Sequence, residues 1–336
     1  MDTPLSYPIS NRPRRLRRHE NIRRMARETR LSTDSLIAPQ FVISGEGVKD
    51  PIDAMPGQYR MSLDVLLEEA SAIHALGIPA IAIFPSIPDD LKDATGKESL
   101  NPNGLFPRTI RALKKHVPDL LVVTDVALDP YSSDGHDGIV RNGEIQNDES
   151  LEVLANMAVV QAQAGADIIA PSDMMDGRVS AIRTALDASG FSQTAILSYT
   201  AKYASAYYGP FREALDSAPK SSSDVPAHKK SYQMDPANGV EAIREALLDL
   251  EEGADMIMVK PALNYLDVIY RLKEMSTVPV AAYHVSGEYS MIKAAAKTGW
   301  LNERDAVLES TTAIRRAGAD IILTYFAKDI ATWIQA

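Results

Sequence analysis

The chain has no cysteine among its 336 residues. That excludes disulfides, thiolate catalysis and any zinc held by sulfur. No apolar run approaches the ~20 residues that span a bilayer. The basic N-terminus also lacks the apolar stretch of a signal peptide behind it, so a cytoplasmic protein with no membrane partner is expected. A Gly-x-Gly-x-x-Gly turn is missing after the first strand-like segment, which argues against a doubly wound dinucleotide-binding sheet. No linker-like segment divides the chain either, and its length suits one large domain.

What is present is repetition. Apolar runs rich in β-branched residues occur at Leu36–Ile43, Ile78–Phe84, Leu120–Val126, Ala166–Ala170, Thr194–Tyr199, Asp255–Val259, Val278–Tyr283 and Asp320–Phe326. Between them lie stretches with helical spacing, among them Leu63–Leu76, Ser150–Ala164, Val240–Leu250 and Arg304–Ala317. One phrase introduces three of the strands, Ala-Gly-Ala-Asp at 164–167 and 317–320 and Glu-Gly-Ala-Asp at 252–255. Its glycine suits a helix C-cap and the turn into a strand, and Gly77 serves Ile78 in the same way. Near-continuous apolar strands alternating with amphipathic helices indicate a parallel sheet covered on its faces. Eight such units point to an α/β fold, a closed (β/α)8 TIM barrel.

Two lysines end two consecutive strands, Lys202 in Ala-Ile-Leu-Ser-Tyr-Thr-Ala-Lys and Lys260 in Asp-Met-Ile-Met-Val-Lys-Pro. Strand C-termini form the active site of such a barrel, so a lysine there points its amine into a largely dry space where desolvation disfavours the ammonium. A second ammonium nearby disfavours it further, which is the setting of a Schiff-base nucleophile. One lysine alone would more often reach past the strand end to solvent. The pair favours carbonyl chemistry.

The other strand ends add polar groups. The loop from Thr124 to Gly138 carries Asp125, Asp129, Asp134, His136 and Asp137, which suits either a hard cation on oxygen ligands or a solvated loop with capping aspartates. After the fourth strand, Ser172 or Asp173 is placed to cap the next helix. After the seventh and eighth come Ser286 and Tyr325, whose hydroxyls suit a substrate carboxylate. Between the lysine strands a long insertion runs from Tyr207 through Ser221, Ser222 and Ser223 to Met234. Its Ser, Pro and Lys content is that of a mobile active-site lid near 207–234, on which Arg212 and Lys229 would bring cations to an anionic substrate.

Charge is uneven. Nine arginines fall within residues 1–30 although the formal net charge is −10, so a basic arm (1–33) precedes an acidic body (34–336). The arm lacks interleaved aromatics and the body would repel phosphates, which argues against nucleic acid. An arm that pairs with an acidic surface of its own or a neighbouring subunit predicts a homo-oligomer.

The phrases Ser-Tyr-Thr-Ala-Lys202-Tyr-Ala-Ser, Tyr-Tyr-Gly-Pro-Phe-Arg212, Tyr-Gln-Met-Asp-Pro-Ala-Asn, Met-Val-Lys260-Pro, Val-Ser286-Gly-Glu-Tyr and Ala-Pro-Ser-Asp-Met-Met-Asp-Gly-Arg resemble the porphobilinogen synthase (δ-aminolevulinic acid dehydratase) family, from about Arg14 to the C-terminus. The resemblance implies a (β/α)8 barrel whose N-terminal arm embraces a neighbour, usually in a homo-octamer. It implies a lyase that condenses two 5-aminolevulinate molecules into porphobilinogen with loss of two waters, the first common step toward haem, chlorophyll and other tetrapyrroles. Lys260 would form the Schiff base with the propionate-side substrate and Lys202 the one with the acetate-side substrate. Ser286 and Tyr325 would bind the propionate-side carboxylate, Arg212 and Lys229 the other, while Asp125 and Ser172 would line the site and assist proton transfer or amine orientation. Zinc-dependent members place three cysteines where this chain has Ala127, Asp129 and Asp137. The chain is therefore similar to the cysteine-free, magnesium-stimulated members, with Asp129 and Asp137 as candidate ligands of an active-site cation. A second site, Glu245 and Asp176 with an arginine from a neighbour's arm, is implied for a largely hydrated allosteric Mg2+ that stabilises the octamer. No organic cofactor is implied. Another class I Schiff-base aldolase on the same fold explains one essential lysine but not two.

Overall fold

A computed structural model describes residues 11–219 and 224–335. Residues 1–10 of the arm, and 220–223 of the insertion with its three consecutive serines, lie outside the described residues. The chain forms two compact units that divide between Arg30 and Leu31. In the first, a helix at Glu20–Ala26 begins at His19, whose ring Nδ1 accepts the Asn21 N–H, and Glu20 pairs with Arg23 at 2.6 Å.

The second unit is the barrel. Its strands are β1 (Leu36–Val42), β2 (Ala80–Pro85), β3 (Leu121–Val126), β4 (Ile168–Pro171), β5 (Ala195–Lys202), β6 (Met256–Lys260), β7 (Val280–His284) and β8 (Ile321–Thr324). They run parallel in chain order, and β8 pairs back to β1 to close the sheet. Helices such as Leu63–Ala75, Asn147–Ala164, Glu241–Glu251 and Glu303–Ala317 connect them. The strands read as near-continuous apolar runs because both faces are covered, and every residue of β1 and β2 is buried.

The repeated glycine phrase closes the barrel floor. Gly165, Gly253 and Gly318 adopt φ of 105°, 105° and 121°, which residues with a Cβ avoid. The aspartate two residues later has a further task. Oδ2 of Asp167, Asp255 and Asp320 accepts the N–H of Val122, Ile196 and Val280 at 2.8, 2.8 and 3.0 Å, tying each new strand to its neighbour at the N-terminal end. Lys114 and Lys273 neutralise Asp167 and Asp320 at 2.9 and 2.7 Å. Conserving order at this end leaves the C-terminal ends free for chemistry.

β5 ends at Lys202, as the phrase Ala-Ile-Leu-Ser-Tyr-Thr-Ala-Lys indicates. One detail differs from the pattern read along the chain. The helix after β4 starts only at Arg178, behind Gly177, so neither Ser172 nor Asp173 caps it; Asp173 Oδ1 instead accepts the Met175 N–H at 2.7 Å within the turn. No helix among the described residues is long and apolar enough to cross a membrane.

Candidate active site

Parallel pairing of β5 with β6 sets Lys202 and Lys260 opposite each other as register partners. Each is only 6% exposed. The Lys260 Nζ lies 4.8 Å from the ring centroid of Tyr283, 5.0 Å from those of Tyr208 and Phe211, and 5.1 Å from that of Tyr199. Ring faces attract a cation but replace little of the hydration it loses. Burial therefore drives the Lys260 amine down, the Lys202 charge drives it further, and the opposing pull of Asp125, Asp129 and Asp137 leaves it at about 7. A sizeable neutral, nucleophilic fraction exists at neutral pH.

Lys202 has a different environment. Its Nζ donates to Asp137 Oδ2 at 3.1 Å and to the Ser172 carbonyl. Asp137 is shared, since Lys229 donates to its Oδ1 at 2.6 Å and to Asp129 Oδ2 at 3.2 Å, while Gln233 approaches from Nε2 at 3.5 Å. Burial alone would raise the Asp137 carboxyl, but the ammonium groups of Lys202 and Lys229 outweigh it and hold the acid well below the usual carboxylate range. Burial would likewise lower Lys229, and Asp129 and Asp137 reverse that, leaving it raised.

The acidic loop after β3 thus already holds a cation, the Lys229 ammonium, between the two aspartates proposed as metal ligands. Among the described residues no group of three or more His, Asp or Glu side chains is arranged to hold a metal. Lys229, expected to face a substrate carboxylate, points to these aspartates instead. Asp125 sits at the end of β3 and accepts a hydrogen bond from the Ser172 side chain. Burial, then the Asp129 charge, push its carboxyl up to about 6 against the pull of Lys202 and Lys260.

The insertion covers these groups. Phe211, in the helix Gly209–Leu215, packs edge-on against Phe84 with centroids 5.2 Å apart and against Phe41 at 5.7 Å. Its N–H donates to Ser286 Oγ at 3.0 Å, and Ser286 donates on to the Tyr207 carbonyl at 3.4 Å. The Tyr325 hydroxyl is 2.9 Å from that of Tyr283. Arg212 is half-buried, its guanidinium carbon 6.0 Å from the Tyr208 ring centroid. Downstream, the His136 ring fastens the insertion to the β3 loop, with Nδ1 2.9 Å from the Tyr232 hydroxyl and Nε2 2.8 Å from the Pro226 carbonyl.

Glu245 and Asp176 stand apart, lining a cleft of about 650 Å³ with Glu144, His228, Lys230 and Glu241. Burial raises the Glu245 carboxyl; Arg178 opposes this, and Asp249 and Asp176 add to it. The structure therefore brings Lys202, Lys260, Asp125, Ser172, Asp129, Asp137 and Lys229 into one site, with Ser286, Tyr325 and Arg212 at its aromatic wall. Tyr199, Tyr208, Phe211 and Tyr283 were not singled out along the chain, although all but Tyr283 stand in the motif phrases quoted above. A second omission is Arg178, buried and bound to Asp249 at 3.1 Å beneath Ser198.

Residues 10–333 match the family described as delta-aminolevulinic acid dehydratase. The chloroplastic delta-aminolevulinic acid dehydratase of Chlamydomonas reinhardtii is 54% identical, over 99% of this chain and 87% of its own. The delta-aminolevulinic acid dehydratase of Halalkalibacterium halodurans is 53% identical over 96% of both chains. The crystal structure of the Toxoplasma gondii ME49 enzyme, in complex with the reaction product porphobilinogen, is similar at a TM-score of 0.94 and 52% identity, covering 97% of this chain and 92% of that one.

Proposed function

This chain belongs to the delta-aminolevulinic acid dehydratase family and is a lyase with porphobilinogen synthase activity in tetrapyrrole biosynthesis, and from that premise we propose that the unequal surroundings of its two lysines divide the work between two 5-aminolevulinate molecules. Lys260, desolvated and partly neutral, attacks the ketone of the propionate-side substrate. Lys202, ion-paired with Asp137, takes the acetate-side ketone. Each imine releases one water. The iminium on Lys202 acidifies the adjacent C–H, and the resulting enamine carbon adds to the iminium carbon on Lys260. The amine of the propionate-side substrate adds to the iminium carbon on Lys202, and expulsion of both lysine amines leaves the new C–C and C–N bonds with two waters lost overall.

The remaining groups fit supporting roles. Asp125, with a carboxyl pushed up to about 6, can exchange protons near neutrality, and Ser172 orients it. Ser286 and Tyr325 would receive the propionate-side carboxylate by exchanging their present partners, Phe211 N–H and the Tyr283 hydroxyl. Arg212 would bind the other carboxylate from the lid, 207–234, and Lys229 would join it only by exchanging its present partners, Asp129 and Asp137. The carrying observation is the register that sets one ion-paired and one ring-enclosed lysine opposite each other.

Glu245 and Asp176 come from different elements and face one cleft, where burial first, and then the Asp249 and Asp176 charges against the pull of Arg178, raise the Glu245 carboxyl. These residues fit a largely hydrated Mg2+, which would neutralise them and favour assembly. A homo-octamer joined through the arm and a cytoplasmic location complete the reading. A cation at Asp129 and Asp137 would have to displace Lys229.

Porphobilinogen formation by wild type, Lys260→Ala and Lys202→Ala tests the division of labour. Both variants should lose at least about a thousandfold in kcat/KM, because a covalent step is removed. Near-normal turnover in either one would refute that lysine's role.

A further inference from the structure

The lid helix Gly209–Leu215 ends, like any helix, in carbonyl groups without intrahelical donors. Three loops from other strand ends meet that end. Arg60, in the hairpin after β1, donates from Nη1 to the carbonyls of Glu213 and Ala214 at 3.3 and 3.2 Å. Its Nη2 and Nε bind Asp50 at 2.7 and 2.8 Å, which fixes the plane of the guanidinium. Lys92, in the loop after β2, donates to the Asp216 carbonyl at 3.2 Å and to the Asp216 carboxylate at 3.3 Å. Its own loop holds it through Asp89 at 2.9 Å, and its side chain is only 2% exposed. Gly135, after β3, has no Cβ to keep the Ala218 carbonyl away, and a methyl there would overlap that oxygen.

We propose that Arg60 and Lys92 form a cationic clamp that holds the lid shut by gripping the C-terminal end of its helix, and that they act as positioning residues for substrate binding. The placement matches the charge distribution of a helix, since cations are favoured where unpaired carbonyls gather. It also explains why a lysine is nearly enclosed at a loop: two carboxylates and a carbonyl replace its water. The clamp acts at a distance through Phe211. That residue's ring is one wall around Lys260 and its N–H occupies Ser286, so the lid's seat governs both the desolvation of the nucleophile and a carboxylate-binding hydroxyl. Loosening the clamp favours the open lid, weakens substrate binding and hydrates Lys260. The closed state, once reached, is chemically unchanged.

The inference rests on reading 207–234 as a lid, and the test separates the two. On the full-length enzyme, Arg60→Ala and Lys92→Met are compared with wild type for KM, kcat, their pH profiles, and limited proteolysis within 207–234 with and without porphobilinogen. Each variant should raise KM about tenfold, the weight of one charge-assisted hydrogen-bond set, with kcat at saturating substrate and optimal pH changed by less than about threefold. The rise of kcat/KM with pH should move to higher pH, a shift that generic loss of fold stability does not produce. Cleavage of the lid should quicken, and saturating porphobilinogen should restore protection. Arg60→Lys should retain part of the effect, and Asp50→Asn, which leaves the lid carbonyl contacts in place, should keep KM near wild type. Where a clamp variant fails to fold, Asp216→Asn tests the same contact from the lid side and should raise KM in the same direction. Unchanged KM and cleavage in Arg60→Ala and Lys92→Met, with wild-type protection by porphobilinogen intact, overturns the clamp. Absence of any ligand-dependent protection in the wild type overturns the lid reading instead.

Discussion

Replacing Lys202 with methionine should raise the pH at which Lys260 becomes nucleophilic. In the structure the Lys260 amine is lowered to about 7 by burial first and by the Lys202 charge second. Adjacent strands lie ~4.8 Å apart and the two amines turn toward different neighbours, so about 8 Å is a working separation. At an effective dielectric of about 20, two unit charges about 8 Å apart repel by roughly 2 kcal/mol, or about 1.5 pKa units. The Asp137 carboxylate, 3.1 Å from Lys202 Nζ, cancels part of that field. A rise of about one unit is therefore expected. Methionine keeps the length and apolar stem of the side chain, so the burial of Lys260 changes little. The assay is mass-detected reductive trapping of one 5-aminolevulinate on Lys260 in the Lys202→Met enzyme, with the trapping rate measured across the neutral pH range against wild type. The sign is fixed by the chemistry: imine formation needs the free amine, so the rate rises with pH through the amine's pKa, and that rise should move upward. A midpoint that stays in place, or falls, would mean that ring enclosure alone sets the amine and that the second lysine contributes no electrostatic activation.

At Gly287 an added methyl would lie 2.5 Å from the Tyr207 carbonyl oxygen and 2.8 Å from its Cα, so Gly287→Ala should displace the start of the lid and raise KM by at least about tenfold, measured by initial rates. Asp137→Ala leaves Lys202 and Lys229 buried beside a missing counter-charge; both are under 10% exposed, and urea unfolding should register a loss of about 3 kcal/mol, whereas an unchanged midpoint would show that the pairs contribute no net stability. Chelation by EDTA should lower wild-type activity and Mg2+ should restore it, while in Glu245→Gln neither treatment should alter the rate; a full Mg2+ response in that variant would place the metal elsewhere.

The barrel was legible because a parallel sheet covered on both faces has no solvent side to interrupt its apolar runs, and Ile78–Phe84 or Asp255–Val259 mark strands without any polar alternation. Lys202 and Lys260 were legible for the opposite reason, as charges where burial is dictated. The enclosure of Lys260 was not. Tyr199, Tyr208, Phe211 and Tyr283 come from two strands and an insertion, and an aromatic residue in an apolar run has the same local pattern whether it fills a core or faces an amine. The direction of Lys229 escaped for a related reason: its place in the insertion puts it on the lid, but only the folded loop brings Asp129 and Asp137 within reach.

The aspartates carry the argument furthest. Asp167, Asp255 and Asp320 follow a glycine turn at strand N-termini and bond backbone N–H groups, so their charges are spent on strand alignment. Asp125 and the loop aspartates Asp129 and Asp137 stand at or beyond a strand C-terminus, where the partners are side chains: the Ser172 hydroxyl for Asp125 and lysine amines for Asp129 and Asp137. The same side chain therefore aligns strands at one end and tunes nucleophiles at the other. Parallel strands leave backbone N–H groups free at their N-terminal ends, where Asp167, Asp255 and Asp320 bind them, and none comparable at the C-terminal ends, so the carboxylates that face the nucleophilic lysines gather on one face of the barrel.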